Sequence, residues 1–324
     1  MHAKCFRFIP NFFICVIFIE IFILICYDIP IIKSRKNATR SINMLPNKRS
    51  VSFEVFPPKK DGEFEAAFEI LDELGKLSPD FISVTYGAGG SRSGKTVEIA
   101  SYIQNKLGID AMAHMTCVGS KRESLLEVAR ALKESNVKYV LALRGDRPKD
   151  MTDEQFNSRD FAHASDMMDF LRANTDLKLA GACYPEKHFE SFSMESDLNN
   201  LKKKQDAGAQ FFVSQLFFDN DYYYSFLEKA SKKGINVPIC AGIMPITSAK
   251  QIGTTISLSG SSVPKALADI IATYSDNPED IRKAGIDYAI RQIRDLQENG
   301  VNDVHIYTMN KPKMAAEIMG AIYR

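Results

Sequence analysis

The sequence predicts an α/β protein whose fold is a (β/α)8 barrel, also called a TIM barrel. Eight short apolar runs with the length of β-strands are each followed by a stretch with helical spacing. Several of these runs are apolar throughout, as is typical of parallel strands that are covered on both faces. Eight such units over roughly 250 residues match the size of this barrel. A doubly wound open sheet is the alternative, but it usually has fewer units and a G-x-G-x-x-G after its first strand, which is missing here.

The predicted strands follow one another with little intervening chain. In order they are VSFEVF (51–56), FISVTY (81–86), DAMAHMTC (110–117), KYVLALRG (138–145), KLAGACY (178–184), FFVSQLFF (211–218), PICAGIM (238–244) and VNDVHIYTM (301–309). Several helical stretches are expected after the seventh strand, ending near Glu298, and the last helix is KMAAEIMGAIYR. We therefore expect residues 50–324 to form a single catalytic barrel domain.

Composition indicates a globular protein without a strongly charged partner. The 324 residues are 45% hydrophobic and 25% charged, and the formal net charge is only +1. This balance gives no indication of a nucleic-acid surface. The six cysteines show no C-x-x-C spacing, so no metal site is predicted.

Residues 1–49 differ in composition from the rest of the chain. The run NFFICVIFIEIFILICY at 11–27 is almost wholly apolar, with Glu20 near its centre. A membrane-spanning helix needs about 20 apolar residues, and no small-residue cleavage site follows, so neither a span nor a signal peptide fits well. We expect an extension outside the fold, produced by a mis-assigned start, with Met44 as the natural one. The protein is then cytoplasmic, and a membrane anchor through 11–27 is the alternative.

The stretch GAGGSRSGKT at 87–96 matches the phosphate-binding pattern G-x-x-x-x-G-K-[ST] between a strand and a helix. It raises a nucleotide hydrolase as an alternative function. Such an enzyme should also have an apolar strand that ends in a magnesium-binding Asp. In the nearest candidate, YVLALRGD, Arg144 and Gly145 stand before Asp146, which disfavours the hydrolase.

Polar residues gather at the carboxyl ends of the predicted strands, where barrel enzymes hold their active sites. A single polar residue of this kind is most simply structural, but collective placement on one rim favours a site. A helix after the fifth strand adds three polar residues on one face, although a solvated face is the alternative. The rim residues are Glu54, Thr85, Tyr86, His114, Thr116, Arg144, Asp146, Tyr184, Glu186, His188, Gln215 and Tyr307, and the helix residues are Asp197, Asn200 and Lys204.

Eight blocks in order, one at each strand, resemble methylenetetrahydrofolate reductases of the short bacterial type, which have the catalytic barrel only. The blocks are FEVFPPK (53–59), SVTYGAGGS (83–91), HMTC (114–117), ALRGD (142–146), YPEKH (184–188), DAGAQFFVSQLFFD (206–219), GIMPI (242–246) and GVNDVHIYTMN (300–310). The resemblance implies a barrel that binds FAD at the C-terminal ends of its strands without a Rossmann fingerprint. It also implies that the glycine-rich turn after the second strand approaches the flavin, so the nucleotide pattern is fortuitous.

The resemblance implies an oxidoreductase of one-carbon metabolism and methionine biosynthesis, which reduces 5,10-methylenetetrahydrofolate to 5-methyltetrahydrofolate. In this ping-pong reaction NADH or NADPH gives a hydride to FAD, leaves, and is replaced by the folate, which takes the hydride. NADH is the favoured reductant, although no residue that would distinguish the two riboses is identifiable. A homo-oligomer without a regulatory domain is expected. A barrel that has lost catalysis and serves as a binding partner is a further alternative.

The resemblance also assigns roles to residues. Glu54 is the general acid that protonates a folate ring nitrogen, which requires a carboxyl whose pKa is raised by burial. Asp146 stabilises the cationic iminium that follows, and Arg144 is expected to hold it. The substrate-binding residues are Gln215, Tyr307 and Lys311. The FAD contacts are Thr85, Tyr86, Ala88, His114, Arg144, Gly145, Asp146, His163, Ala164, Tyr184, His188, Asp197, Asn200 and Lys204.

Three departures from the family pattern concern ligand affinity more than reaction type. The loop from Arg147 to Asp160 is longer than in the bacterial members. Ala249 stands where those members carry an aromatic residue that stacks on bound ligand. Lys311 stands where Arg is expected, which keeps the charge but loses the bidentate fork of the guanidinium.

Overall fold

The computed structural model describes residues 49–58, 63–86, 93–148 and 150–323. The apolar run at 11–27, Met44, Ala88 and most of the glycine-rich stretch after the second strand lie outside these ranges, so the predictions made on them stay predictions. Within the described ranges, no helix has both the length and the apolar character needed to cross a membrane.

Eight parallel β-strands close into a barrel in which each strand pairs with the next and the eighth pairs with the first. The predicted (β/α)8 fold is therefore confirmed. The strands are β1 (Ser50–Val55), β2 (Phe81–Val84), β3 (Asp110–Thr116), β4 (Tyr139–Leu143), β5 (Lys178–Cys183), β6 (Ala209–Ser214), β7 (Ile239–Ile243) and β8 (Asp303–Tyr307).

Helices connect the strands and surround the barrel. They are α1 (Phe64–Gly75), α2 (Ser93–Ser101), α3 (Arg122–Glu134), α4 (Asp153–Asn157), α5 (Ala164–Asn174), α6 (Met194–Asp206), α7 (Asn220–Lys232), α8 (Ala249–Ser259), α9 (Lys265–Tyr274), α10 (Pro278–Glu298) and α11 (Pro312–Ile322). A π-helical turn, Tyr102–Lys106, continues α2. The end of α10 at Glu298 agrees with the position expected from the sequence.

The apolar run of the sixth predicted strand continues beyond the strand itself. The prediction placed Gln215 inside a strand that reaches Phe218, whereas β6 ends at Ser214. Leu216 and Phe218 are buried in a separate apolar cluster that includes Leu267 of α9. The run is apolar because this connection is itself buried, and Gln215 follows the strand instead of belonging to it.

Alternate positions along the strands lie in two different environments, as the pleat requires. One set packs against the helices, for example Val51, Phe53 and Val55 of β1. The other set forms an apolar cluster built only from strand residues, which fills part of the barrel interior: Phe81, Met112, Tyr139, Leu141, Ala180, Phe211, Val213 and Cys240. Polar side chains from β1, β2, β3 and β8 occupy another part of the interior.

Gly285 marks the place where α10 comes closest to the backbone after β7. A Cβ atom on Gly285 would lie 1.7 Å from the carbonyl oxygen of Ile246, so the backbone would have to move. We expect Gly285→Ala to lower the free energy of unfolding by about 3 kcal/mol, at the upper end of the usual cost of overpacking.

Gly320 provides the matched control, because it is also a helical glycine but a Cβ there would meet no atom within 4 Å. Gly320→Ala should raise the free energy of unfolding by up to about 1 kcal/mol through helix propensity. Thermal unfolding of both variants checks this pair. Equal melting temperatures for the two variants would contradict the close approach of α10 to the Ile246 carbonyl group at Gly285.

Candidate active site

A cavity of about 1830 Å³ opens at the carboxyl ends of the strands. Its walls come from the segments that follow β2, β3, β4 and β5 and from helices α5 and α6, and the volume extends into a groove lined by residues of α2 and α3. Pockets for small molecules usually measure roughly 300–1,000 Å³, so this one has room for an extended ligand such as a dinucleotide.

Every predicted FAD contact within the described residues lines this one cavity. Ala88 lies outside the described residues, so its position stays a prediction. The cavity-lining contacts are Thr85, Tyr86, His114, Arg144, Gly145, Asp146, His163, Ala164, Tyr184, His188, Asp197, Asn200 and Lys204. Residues from five separate parts of the sequence are thus brought to one surface.

The turn after β4 depends on a glycine. Gly145 has a φ of +81°, and a Cβ atom there would lie 2.9 Å from side-chain carbons of Thr116 and Val118. Glycine is the residue that adopts this backbone conformation without steric cost, and its lack of a side chain lets Thr116 and Val118 pack against the turn. The turn thereby holds Arg144 and Asp146 on either side of Gly145 at the cavity wall.

The guanidinium of Arg144 is held by a residue that the sequence analysis did not single out. It pairs with both carboxylate oxygens of Glu190, and its Nη2 lies 2.8 Å from Oε1. These hydrogen bonds raise the pKa of Arg144. The expectation that Arg144 holds Asp146 is corrected, since the carboxylate bonded to Arg144 is that of Glu190. The contact joins the β5–α6 connection to the turn after β4, and spacing along the chain contains no signal for it.

The polar residues of α6 tie the helix to the end of β5. Asp197 accepts hydrogen bonds from the backbone N–H of His188 (3.1 Å) and from the Ser191 hydroxyl (2.9 Å). Lys204 donates to the carbonyl oxygen of Ala182 at 2.8 Å. Burial lowers the pKa of Lys204. The β5–α6 connection is therefore anchored at several points beside the cavity.

Local contacts hold the described parts of the long connection between β4 and α5. It contains the short helix α4, whose first turn is capped by reciprocal bonds between Thr152 and Gln155. The backbone N–H of His163 donates to the Asp166 carboxylate at 2.9 Å, which fixes the start of α5. These bonds place His163 and Ala164 at the cavity despite the longer loop.

Glu54 lies near the end of β1 inside the barrel, with its carboxyl oxygen 3.6 Å from Nε2 of His114 and 4.0 Å from Nε2 of His305. Burial raises the pKa of Glu54 from 4.5 to about 8 and lowers the pKa of each histidine to about 3. At neutral pH all three groups are uncharged, so these contacts are not ion pairs. Protein surrounds the carboxyl, yet 21% of the side chain stays accessible, which lets a ligand reach it.

His305 is the centre of a buried polar network that the sequence analysis missed. Its Nδ1 lies 2.7 Å from the Ser52 hydroxyl, and its Nε2 lies 3.1 Å from the Ser83 hydroxyl. A signal was present in the sequence, because polar residues occupy alternate positions in both terminal strands. Ser52 and Glu54 alternate in β1, and His305 and Tyr307 alternate in β8.

Tyr307 reaches from β8 to β6. Its hydroxyl donates to the carbonyl oxygen of Ser214 at 2.7 Å, and its ring meets that of His305 edge to face, at 83°. Gly242 in β7 provides the space, since a Cβ atom there would lie 2.3 Å from the Ser214 oxygen and 2.8 Å from the Tyr307 hydroxyl. The position of the tyrosine ring is thus set by a hydrogen bond and by a glycine on a third strand.

Gln215 and Lys311 are oriented by their own neighbours. The side-chain oxygen of Gln215 accepts from the backbone N–H of Leu216 at 2.9 Å. The exposed Lys311 donates to the Thr247 hydroxyl at 2.8 Å, next to the start of α8. Gln215 and Lys311, like Glu54 and Tyr307, do not line the large cavity. Glu54 is next to the cavity because it lies 3.6 Å from His114, which lines it.

The last two residues of the nucleotide pattern bond to the ends of the first two strands. Lys95 donates to the carbonyl oxygen of Pro58 at 3.3 Å, and Thr96 donates to that of Thr85 at 3.0 Å. These bonds attach the start of α2 to the barrel.

Comparison with known proteins identifies the family. A family model for methylenetetrahydrofolate reductase matches residues 39–322. The 5,10-methylenetetrahydrofolate reductase of Pectobacterium carotovorum subsp. carotovorum is 33% identical over 284 residues, which are 88% of this chain and 93% of that protein. Methylenetetrahydrofolate reductase (NADH) 1 of Arabidopsis thaliana is 34% identical over 279 residues, which are 83% of this chain and 47% of that protein.

A solved structure gives an independent comparison of the fold. A Clostridium thermocellum protein that binds two copies of 5-methyl-5,6,7,8-tetrahydrofolic acid matches with a TM-score of 0.59 and 16% identity, covering 85% of this chain and 95% of that chain. At this identity the likeness concerns the barrel alone. The family match along most of the chain, together with the bacterial relative matched over nearly its whole length, leads to one conclusion: this chain belongs to the methylenetetrahydrofolate reductase family.

Proposed function

We propose that this protein reduces 5,10-methylenetetrahydrofolate to 5-methyltetrahydrofolate with NADH or NADPH as reductant and FAD as its cofactor, in a ping-pong reaction at one site. Family membership supports methylenetetrahydrofolate reduction itself. The observation that carries the proposal is the state of Glu54, whose pKa is raised to about 8 by burial while 21% of its side chain stays accessible. An acid of this kind is protonated at neutral pH and can donate to a substrate.

The cavity suits FAD in three respects. His114 lines its wall, and the buried Nε2 of this residue has no hydrogen-bond partner within the described residues, its polar neighbour being the Glu54 carboxyl at 3.6 Å, so hydrogen-bonding capacity remains at this end of the cavity. Arg144, bonded to Glu190, and Lys204, bonded to the Ala182 carbonyl oxygen, bring positively charged groups to the same wall, and such groups suit a pyrophosphate. Gly145 lines the cavity wall and presents backbone atoms to it, since it has no side chain. When bound, FAD supplies the hydride chemistry, and the protein supplies position, protons and electrostatics.

The proton for the folate can come from Glu54 but not from the neighbouring histidines. Opening of the methylenetetrahydrofolate ring requires a proton on a ring nitrogen. With a pKa of about 3, His114 and His305 are not imidazolium ions at neutral pH. Their neutrality also favours the protonated form of Glu54, because a nearby positive charge would lower its pKa. The serine hydroxyls bonded to His305 keep the ring in place beside the acid.

Four further residues are proposed to act on the folate. Asp146, exposed at the cavity wall, can bring a carboxylate to the cationic iminium that ring opening produces. Gln215 has an amide that is already oriented, and Tyr307 has a ring that is held by its hydroxyl. Preorganised groups of this kind bind a ligand without a further loss of side-chain entropy. We also propose that the exposed Lys311 binds the glutamate tail of the folate.

The two alternative functions have less support. Family membership gives no support to a nucleotide hydrolase, and Lys95 and Thr96 have structural contacts with the strand ends. A barrel without catalysis would have no need for the raised pKa of Glu54. For the reductant, NADH is favoured, since the Arabidopsis relative is named as an NADH enzyme.

The purified protein should be yellow from bound FAD. Under anaerobic conditions, NADH should bleach the flavin absorbance faster than NADPH does, and methylenetetrahydrofolate should restore it. Stopped-flow absorbance with each nicotinamide in turn, and then with the folate, makes this measurement. A protein that takes up no flavin, or whose reduced flavin is not reoxidised by the folate, would rule out the proposed function.

Glu54→Gln should separate the two half-reactions. The amide keeps the size of the side chain but has no transferable proton, so flavin reoxidation by methylenetetrahydrofolate should slow by about 10²–10⁴-fold. Flavin reduction by NADH needs no acid and should change little. Rates normalised to bound flavin distinguish this result from a structural role, in which both half-reactions would weaken together. A wild-type rate with the folate would mean that Glu54 is not the acid.

The raised pKa of Glu54 also predicts the direction of the pH dependence. The protonated form predominates below pH 8 and is lost as the pH rises through about 8. The rate of the folate half-reaction should therefore be constant in the neutral range and fall about tenfold per pH unit above pH 8. Single-turnover rates between pH 6 and pH 10 test this, with Glu54→Gln as the control. If the residual rate of Glu54→Gln falls in the same way above pH 8, the group that titrates is not Glu54.

A further inference from the structure

Phe192 is an unusual member of the cavity lining. Its side chain is 98% exposed, which is the largest exposure among the large apolar residues that the structure describes as exposed. Single exposed apolar residues are common on protein surfaces and need no special explanation. Phe192 differs from them because it lines the large cavity, whereas Phe189 and Tyr222, also exposed, do not.

The backbone on both sides of Phe192 is held by hydrogen bonds. The carbonyl oxygen of Ser191 accepts from Lys187 at 2.7 Å, and the Ser191 hydroxyl donates to Asp197 at 2.9 Å. On the other side, the Ser193 hydroxyl accepts from the Ser196 N–H at 3.1 Å and caps α6. The position of the backbone that carries the ring is therefore fixed, and the exposed ring is free to contact a flat ligand.

The surroundings of Phe192 indicate which part of a ligand it would meet. It precedes the first turn of α6, whose residues Asn200, Lys203 and Lys204 line the same cavity and suit ribose and phosphate groups. Glu54, beside the buried His114, lies deep in the barrel, whereas Phe192 stands at the rim. His114, which adjoins Glu54, and Phe192 line the same cavity, so a ligand whose reactive ring is near Glu54 can extend along the cavity towards Phe192.

We propose that Phe192 is an aromatic platform on which the adenine ring of FAD stacks, and that it makes the protein specific for FAD over FMN. The inference rests on the proposed function, because it takes FAD as the cavity's ligand. Purines stack on exposed aromatic side chains in many nucleotide-binding proteins, and each such contact contributes substantially to affinity. FMN shares the flavin ring and one phosphate with FAD but has no adenine, so Phe192 would not contribute to its binding.

The test measures flavin affinity, not turnover. The purified holoenzyme is diluted, and the Kd for FAD is obtained from the rise in flavin fluorescence on release; FMN affinity is obtained from displacement of FAD. Phe192→Ala should raise the Kd for FAD by about tenfold or more, as expected for the loss of one base–aromatic stack. Its affinity for FMN should change by less than twofold. Phe192→Trp should retain wild-type affinity for FAD.

Tyr222→Ala is the matched control, since Tyr222 is an exposed aromatic residue of α7 outside the cavity lining, and its Kd for FAD should equal that of the wild type. An unchanged Kd for FAD in Phe192→Ala would overturn the inference, as would equal weakening of FAD and FMN. A higher KM for NADH with an unchanged Kd for FAD would assign the platform to the nicotinamide dinucleotide instead. A wild-type protein that binds no FAD would overturn the proposed function as well, so the two failures are distinguishable.

Discussion

Closure of the barrel between β1 and β8 is the constraint on which the candidate active site depends. The register of this pair sets Glu54 opposite Tyr307 and Ser52 opposite His305, although the two strands come from opposite ends of the described chain. The hydrogen bond between Ser52 and His305 follows directly from that register. Because side chains alternate between the two faces of a strand, a slip of one residue would move all of these polar groups out of the interior.

The same closure determines the charges in the site. Burial in the barrel disfavours every ionised form, so Glu54 keeps its proton while His114 and His305 lose theirs. Three titratable groups can share a small volume because none is charged at neutral pH. Packing of the barrel interior therefore changes the chemistry of Glu54. Burial raises the pKa of its carboxyl to about 8, while part of the side chain stays accessible.

The cavity is built differently from the barrel interior. Its walls are connections after the strands, and these are fixed by hydrogen bonds, ion pairs and one glycine turn. Arg144 with Glu190 joins the turn after β4 to the β5–α6 connection, and Asp197 and Lys204 join α6 to the end of β5. Binding residues on connections held by a rigid scaffold are typical of barrel enzymes. Under the proposed function, the interior would supply the proton and the connections at the rim would bind the ligand.

The order of strands and helices and the family follow from the sequence by itself, because strand and helix periodicity and short blocks of residues are local properties. The proposal that Glu54 is the acid also came from the sequence, through the family resemblance of its block. Only the tertiary structure decided that Glu190 is the partner of Arg144, that His305 is the centre of a polar network, and that Gln215 lies beyond β6. These contacts join residues far apart in the chain, or depend on what covers a connection. Closure and packing of the whole barrel determine them, and no local pattern encodes either.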